Sequence, residues 1–551
     1  MQSKPYAHVM WAWRSAWCIA TFTYIGAAVV LTWPLATDFA RRLPMGTESS
    51  ATVARASAWA LWWVADRLAA GGVGLWDAPI FFPTEGTFAL SEPLLLQGLL
   101  VAPAFGFGAS PIVAHNLALV GTLVGNGLAA FGLLGHLGGR GGRRLLGGLL
   151  VVALPFGLDQ LGVLTLVSVA GPVATLWALL RCVQRPNGRR GFALGAALGA
   201  TYLSCAQFGL FTALALAPAL LWFSARRPKR GWWSALAVAG ASLALLTGPV
   251  VAAQVEVRDR LQLERAPSRA AAHATRVSDW AQRSPAHRIS WGISDGKRPL
   301  FPGLVVGGLA IAAGVGAPRL PRRRRRALGL CAAFGASAFL LATIPSTPLF
   351  DLLRAVPGVA QVRTFWRAGA LTQLALALSA GVWLISQPPL GKGWRRQSVM
   401  AALLVLVALD LSPRRQRLAR APQPDQYAEL AQVLDELLEK DEPLVFLPAP
   451  RGKRGPDYQH WAWWMVAQPQ LRRPFVVGYS SYFPERPFGE LRTALRRLPN
   501  GDWRAQLHAL GVRYAVVEAA WWQRTMPAAP DVVVWSPPGR RHWLVRLQPP
   551  D

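Results

Sequence analysis

Carboxylates are scarce in this 551-residue chain, with 28 Asp and Glu against 58 Lys and Arg. Asp38, Glu48, Asp66, Asp77, Glu85 and Glu92 gather in one polar segment near the start. Asp159 alone lies inside an apolar region before residue 255. A carboxylate within or beside a membrane is costly to place and marks a functional position by default; its plainer role is that of a solvated loop acid. Arg363 and Arg367, four residues apart, bracket Thr364-Phe365-Trp366 and enter another apolar stretch. The motifs of soluble enzymes are missing: there is no GxxxxGK[ST], HExxH or GxSxG. The glycine-rich run 135–148 straddles a basic loop with no strand before it, which argues against a phosphate-cradling loop. The four cysteines, Cys18, Cys182, Cys205 and Cys331, lie in or beside apolar stretches without CxxC spacing, which excludes a disulfide framework or a structural zinc site.

The elements that must position these groups are membrane helices. The chain is 52% hydrophobic and only 16% charged, with a mean hydropathy of +0.28, whereas soluble domains carry about 25% charged residues. Apolar residues run in stretches of membrane-spanning length and do not alternate as barrel strands would. The first span is 17–34, read as uncleaved with a cytoplasmic N-terminus. Others run over 94–108, 111–134, 145–157, 161–180, 192–206, 208–223, 232–254, 301–317, 327–344, 369–386 and 398–412. A cytoplasmic N-terminus and a non-cytoplasmic tail require an odd number of crossings. One of 94–108 and 145–157, both short and containing Gly or Pro, is then a re-entrant or half span. The expectation is an α-helical polytopic protein of about eleven spans, up to about thirteen.

A multi-span domain over 1–412, with a first outer loop at 36–93, is expected to precede a soluble extracytoplasmic α/β domain over 413–551. In the outer loop, 51–70 reads as a helix with Trp59, Trp62 and Trp63 on one face, suited to lying in the membrane interface. In the tail, 427–440 reads as an amphipathic helix, and 444–447, 512–518, 532–535 and 543–547 read as strands. Trp461, Trp463 and Trp464 are assigned to a domain core or a membrane contact ahead of stacking on a sugar ring, and His115 and Asn116 to packing or interhelical hydrogen bonds.

A net charge of +30 would ordinarily suggest nucleic acid. Here much of it sits in short acid-free clusters between apolar stretches, at Arg140/Arg143/Arg144, 181–190, 226–230, 319–326 and 392–396. That is the pattern of cytoplasmic loops on an anionic leaflet. The partners expected are membrane lipids and no nucleic acid.

Four stretches in this order resemble the GT-C-type polytopic glycosyltransferases, in particular a bacterial branch of membrane proteins related to them. The first is Thr32-Trp33-Pro34-Leu35-Ala36-Thr37, followed by Leu43-Pro44 and Gly46-Thr47-Glu48. The second is Leu75-Trp76-Asp77-Ala78-Pro79-Ile80-Phe81-Phe82-Pro83, with Ser91-Glu92 beyond it. The third is Leu300-Phe301-Pro302-Gly303-Leu304, and the fourth is Arg363-Thr364-Phe365-Trp366-Arg367 with Leu510-Gly511-Val512-Arg513-Tyr514-Ala515-Val516-Val517 in the tail.

The resemblance implies a transferase of the bacterial inner membrane that moves a sugar from a polyprenyl-phosphate donor to an acceptor at the outer face. It makes Glu48 the general base, sometimes helped by a divalent metal in such enzymes. Arg363 and Arg367 become partners of the donor phosphate, since guanidinium pairs well with phosphate oxygens; the alternative is that they anchor a span end by snorkelling. Asp77 and Glu92 would shape the acceptor pocket or hold a metal. The chain departs from the pattern at three places. Relatives usually carry Gly-Asp where this chain has Gly46-Thr47-Glu48, often a His where Pro93 stands, and His residues near Asp159-Gln160-Leu161. Two rival readings follow: a catalytically degenerate scaffold that binds lipid-linked glycans in an envelope assembly complex, and a lipid-linked glycan transporter. Against the transporter, no inverted internal repeat is visible.

Overall fold

The apolar stretches fall mostly on helix in the computed structural model, which describes residues 4–226, 230–263, 265–291, 298–388, 394–526, 531–536 and 541–549. Of the basic clusters, 227–229 and 392–393 lie outside the described residues. Among those described, six helices are long and apolar enough to cross a membrane: Pro111–His136, Leu164–Gln184, Ala206–Ala225, Trp232–Arg260, Arg322–Ser346 and Phe365–Ser386. Shorter apolar helices cover Ser15–Leu31, Leu95–Gly106, Leu304–Arg319 and Gln397–Leu411.

The chain divides into two compact units. The first comprises Met1–Thr37, Ala118–Pro249 and Glu264–Arg417. The second comprises Asp38–Leu117, Val250–Leu263 and Leu418–Asp551, so the first polar segment groups with the tail.

In the first unit the apolar run around residue 160 breaks into the short helices Pro155–Asp159 and Leu164–Val167 before Ala170–Gln184 begins. Irregular backbone at membrane depth survives only if other groups satisfy its hydrogen bonds. Two amide side chains do so. Asn126 donates to the Val167 carbonyl at 2.8 Å and accepts from the Val169 and Ala170 N–H groups. Gln373 accepts from the Phe156 N–H at 3.0 Å and donates to the Leu300 carbonyl at 2.9 Å.

Among the described residues the second unit holds all six strands: β1 (Arg42–Pro44), β2 (Leu418–Arg420), β3 (Leu444–Leu447), β4 (Tyr514–Glu518), β5 (Val532–Trp535) and β6 (His542–Arg546). β1 and β2 pair antiparallel. The larger sheet has the order β3-β4-β6-β5, with β3 parallel to β4 and the other pairs antiparallel. A parallel pair needs a long crossover, supplied here by helices Gln459–Leu471, Phe488–Leu495 and Trp503–Ala509. The Pro79–Phe82 stretch adds to the same unit: Phe475 N–H donates to the Pro79 carbonyl and Phe82 N–H to the Phe475 carbonyl.

One expectation is corrected here. The helix anticipated at 51–70 forms as Thr52–Ala69, but Trp59, Trp62 and Trp63 are buried within the unit rather than presented to a membrane interface. The Trp59 indole donates to Gln468 Oε1 at 2.6 Å and that of Trp63 to the Leu75 carbonyl at 2.8 Å. Arg472 sits over the Trp62 ring. Protein partners thus replace lipid headgroups. Trp461 and Trp464 are core residues, as anticipated.

Candidate functional site

In the second unit, Glu48 closes a tight turn directly after β1. Its N–H donates to the Met45 carbonyl at 3.0 Å, and Gly46 takes φ +55°, which a side chain would disfavour. The Glu48 side chain is half-buried. Two devices hold the turn from behind. β1 is fixed to β2, and the buried Asn116 amide donates to the carbonyls of Phe39 and Arg42 at 2.7 and 2.8 Å. Leu43, Ala54, Ala58, Ile112, Ala421 and Val466 form an apolar cluster around the same strand pair. Arg55, almost fully buried on the neighbouring helix, donates to the carbonyls of Arg420 and Gln459 and lies over the Trp463 ring. Burial pulls its guanidinium down to about 10, with Tyr427 opposing the shift.

Asp77 has a different task. Its Oδ1 accepts the Gly86 N–H at 2.8 Å, and Thr87 donates to the Ala78 carbonyl, which closes the loop from 77 to 87. Glu92 follows Ser91, whose hydroxyl meets that of Ser481 at 3.1 Å, and precedes Leu94 in the left-handed region at φ +52°. Among the described residues no three His, Cys, Asp or Glu side chains converge.

In the first unit, Arg363 and Arg367 flank a short turn pinned by Phe365, which packs against Phe211 at 5.6 Å and Phe350 at 5.2 Å. Arg367 donates to Gln207 Oε1 at 2.7 Å, and Gln207 in turn donates to Thr364 Oγ1 at 2.9 Å. Both arginines bear on His273. Burial, then Arg298, Arg363 and Arg367, hold the His273 imidazole below the usual histidine range. Arg298 is itself tied down, donating to the Ala274 and Ala272 carbonyls at 2.9 Å each.

A second ionic cluster in this unit was not anticipated. His287, fully buried, faces Asp159 at 3.4 Å, and buried Arg283 pairs with Asp410 at 2.7 Å. Asp410 also accepts the Val305 N–H at 2.8 Å. Asp159 was singled out by its apolar surroundings, but nothing in its neighbourhood points to His287, which arrives from a distant segment.

Of the residues singled out from sequence, Arg363 and Arg367 flank one turn and both help lower the His273 pKa, while Asp77 is occupied in closing its own loop. Glu48, Asp77 and Glu92 belong to one unit and the two arginines to the other. Asn116, Arg55, His273 and Arg298 were missed as site-building residues. Only Asn116, a polar residue in an apolar run, carried a visible signal.

No protein-family model matches the sequence, and no curated protein matches it. Solved structures do. The arabinofuranosyltransferase AftD from Mycobacteria superposes on 97% of this chain with a TM-score of 0.61 at 16% identity. The chain spans 40% of the length of that enzyme. The archaeal oligosaccharyltransferase AglB from Archaeoglobus fulgidus, solved with an inhibitory peptide and a dolichol-phosphate, matches 92% of this chain and 69% of its own, with a TM-score of 0.50 at 12% identity. By this likeness the chain has the fold of the GT-C-type polytopic membrane glycosyltransferases.

Proposed function

We propose that this protein is a membrane glycosyltransferase that moves a sugar from a polyprenyl-phosphate-linked donor to an acceptor at the outer face of a bacterial inner membrane. The observation that carries the reading is a fold shared over 97% of the chain with a glycosyltransferase. The dolichol-phosphate held by AglB supports a lipid-phosphate ligand, as do the two arginines Arg363 and Arg367 flanking one turn. In this proposal the chain crosses the membrane about eleven times, and 413–551 lies outside the cytoplasm.

Glu48 takes the proton of the acceptor hydroxyl as its oxygen bonds to the anomeric carbon. The bond from that carbon to the phosphate oxygen breaks, and its electron pair leaves with the lipid phosphate, whose growing charge the arginines stabilise. Asp77 and Glu92 act on the acceptor side, Asp77 by fixing its loop.

The test is transfer from radiolabelled polyprenyl-phosphate-linked sugars by purified protein in lipid, wild type beside Glu48→Gln. Loss of a general base is expected to lower turnover by on the order of 100 to 10,000-fold. Turnover unchanged in the variant would keep the enzyme and remove Glu48 from its role. Donor binding without turnover by the wild type would favour a degenerate scaffold, the reading supported by the departures at Glu48, Pro93 and Asp159.

A further inference from the structure

Three of the helices long enough to cross a membrane end at one place in the first unit: Pro111–His136 at its last residue, Leu164–Gln184 in its last turns, and Arg322–Ser346 at its start. The His136 ring lies 6.3 Å from that of Trp177. Arg323 reaches the same imidazole, its Nη2 3.0 Å from a ring nitrogen. These three helix ends therefore meet one membrane surface.

Guanidinium groups crowd around the two rings. Arg181 lies over Trp177, 6.0 Å from the ring centroid. Arg324 donates to the Leu137 carbonyl at 3.2 Å, and Arg190 donates to the carbonyls of Arg181 and Arg185 at 3.1 and 2.6 Å. Each of them rests on an uncharged partner, a ring or a carbonyl. The sequence explains why: no Asp or Glu occurs in 93–158, 160–255 or 296–350, the stretches that supply this surface. Arg181, Arg185 and Arg323 are exposed.

Two repulsions stand without an offset here. The run Arg322–Arg326 opens a helix with cations where the macrodipole favours an anion, and no acid stands in its first turn. Arg322 also faces Arg325 and Arg326 across one helical turn, where like charges destabilise. An anion bound at this end relieves both. Any anionic leaflet would attract exposed arginines, but the ring pair adds geometry: Arg323 stands at one ring and Arg181 at the other. Two phosphates joined by a short linker match two such stations, each guanidinium fork taking one phosphate through paired hydrogen bonds. Basic pockets between membrane helices take headgroups of this kind.

We infer that this surface is a specific site for a phospholipid with two phosphates in its headgroup, of the cardiolipin type. The site is independent of the proposed transfer reaction. Full-length protein in detergent is titrated with cardiolipin and with phosphatidylglycerol, which has a single phosphate, and bound lipid is counted by native mass spectrometry. The same titrations are run on Arg181→Gln/Arg323→Gln. Arg226→Gln/Arg230→Gln, which removes equal charge from another basic loop, is the control. The first cardiolipin is expected to bind at least about tenfold more tightly than phosphatidylglycerol, the scale of one further charge-assisted hydrogen bond. The double variant at the rings loses that preference and the control keeps it. Arg323→Gln alone, at an exposed position, loses part of it and serves where the double variant does not fold.

Equal affinity for the two lipids overturns the inference, as does a preference that survives substitution of Arg323. An equal loss in the control also overturns it, reducing the surface to general attraction by a charged leaflet. None of these outcomes bears on sugar transfer, which the Glu48→Gln assay tests separately.

Discussion

At the scale of single residues, the Glu48 turn depends on side chains that carry no charge. Asn116 gives both amide hydrogens to the segment leading into it. Removing them leaves two carbonyls without donors in a buried place, at a cost of about 1–3 kcal/mol. A displacement of about 1 Å at a reacting group can cost on the order of 100-fold in rate. Asn116→Ala is therefore expected to retain membrane insertion, unfold at lower temperature and lower turnover by on the order of 100-fold. Turnover equal to wild type would remove Asn116 from its positioning role.

His460 and His542 supply a pH dependence of a different kind. Their rings face each other at 6.2 Å, with Arg541 acting on both and Glu518 opposing at His542. Burial, then these neighbours, push His460 to about 3 and His542 to about 4. An unfolded histidine takes its proton near pH 6.5. Between about pH 6.5 and pH 4 the unfolded chain binds protons that the folded one refuses, so stability is lost as pH falls through that window. The unfolding temperature of the solubilised protein, followed by tryptophan fluorescence, should drop from pH 7 to pH 5, and His460→Gln should flatten the slope. A midpoint indifferent to pH would show that these rings titrate normally in the fold.

At the scale of elements, local sequence was a good guide where the signal is local. The strands at Leu444–Leu447 and Val532–Trp535 appear at the bounds read from β-branched and apolar runs. Gly195 is a helix-packing position: a Cβ there would meet the Ala239 carbonyl oxygen at 2.0 Å. Pairing between distant elements was not legible. β1 is three residues long and shows no strand pattern of its own; it exists because β2 lies against it. The facing of Asp159 by His287, and of Phe39 and Arg42 by Asn116, is likewise set by tertiary packing, which no window of sequence contains. The tryptophans of Thr52–Ala69 show the same limit: their spacing gave the helix correctly, but their chemistry suits a lipid interface and a protein core equally.

At the scale of the whole molecule, the second unit is built from three separate pieces, Asp38–Leu117, Val250–Leu263 and Leu418–Asp551, with stretches of the first unit between them in sequence. Arg55 reaches the carbonyl of Arg420, 365 residues later, and β1 finds its partner in the same place. At about 5–20 residues per second, synthesis of that interval takes roughly 20–70 s. Throughout that time the Glu48 turn hangs from an unpaired strand. A chain released at residue 417 is expected to insert its spans normally, to be cut readily by protease around 42–50, and to transfer no sugar. Equal protection of that segment in the short chain would show that β2 is dispensable. The pairing of β1 with β2 thus ties the Glu48 turn to the order of synthesis: until residues 418–420 have been made, the strand that leads into that turn has nothing to pair with.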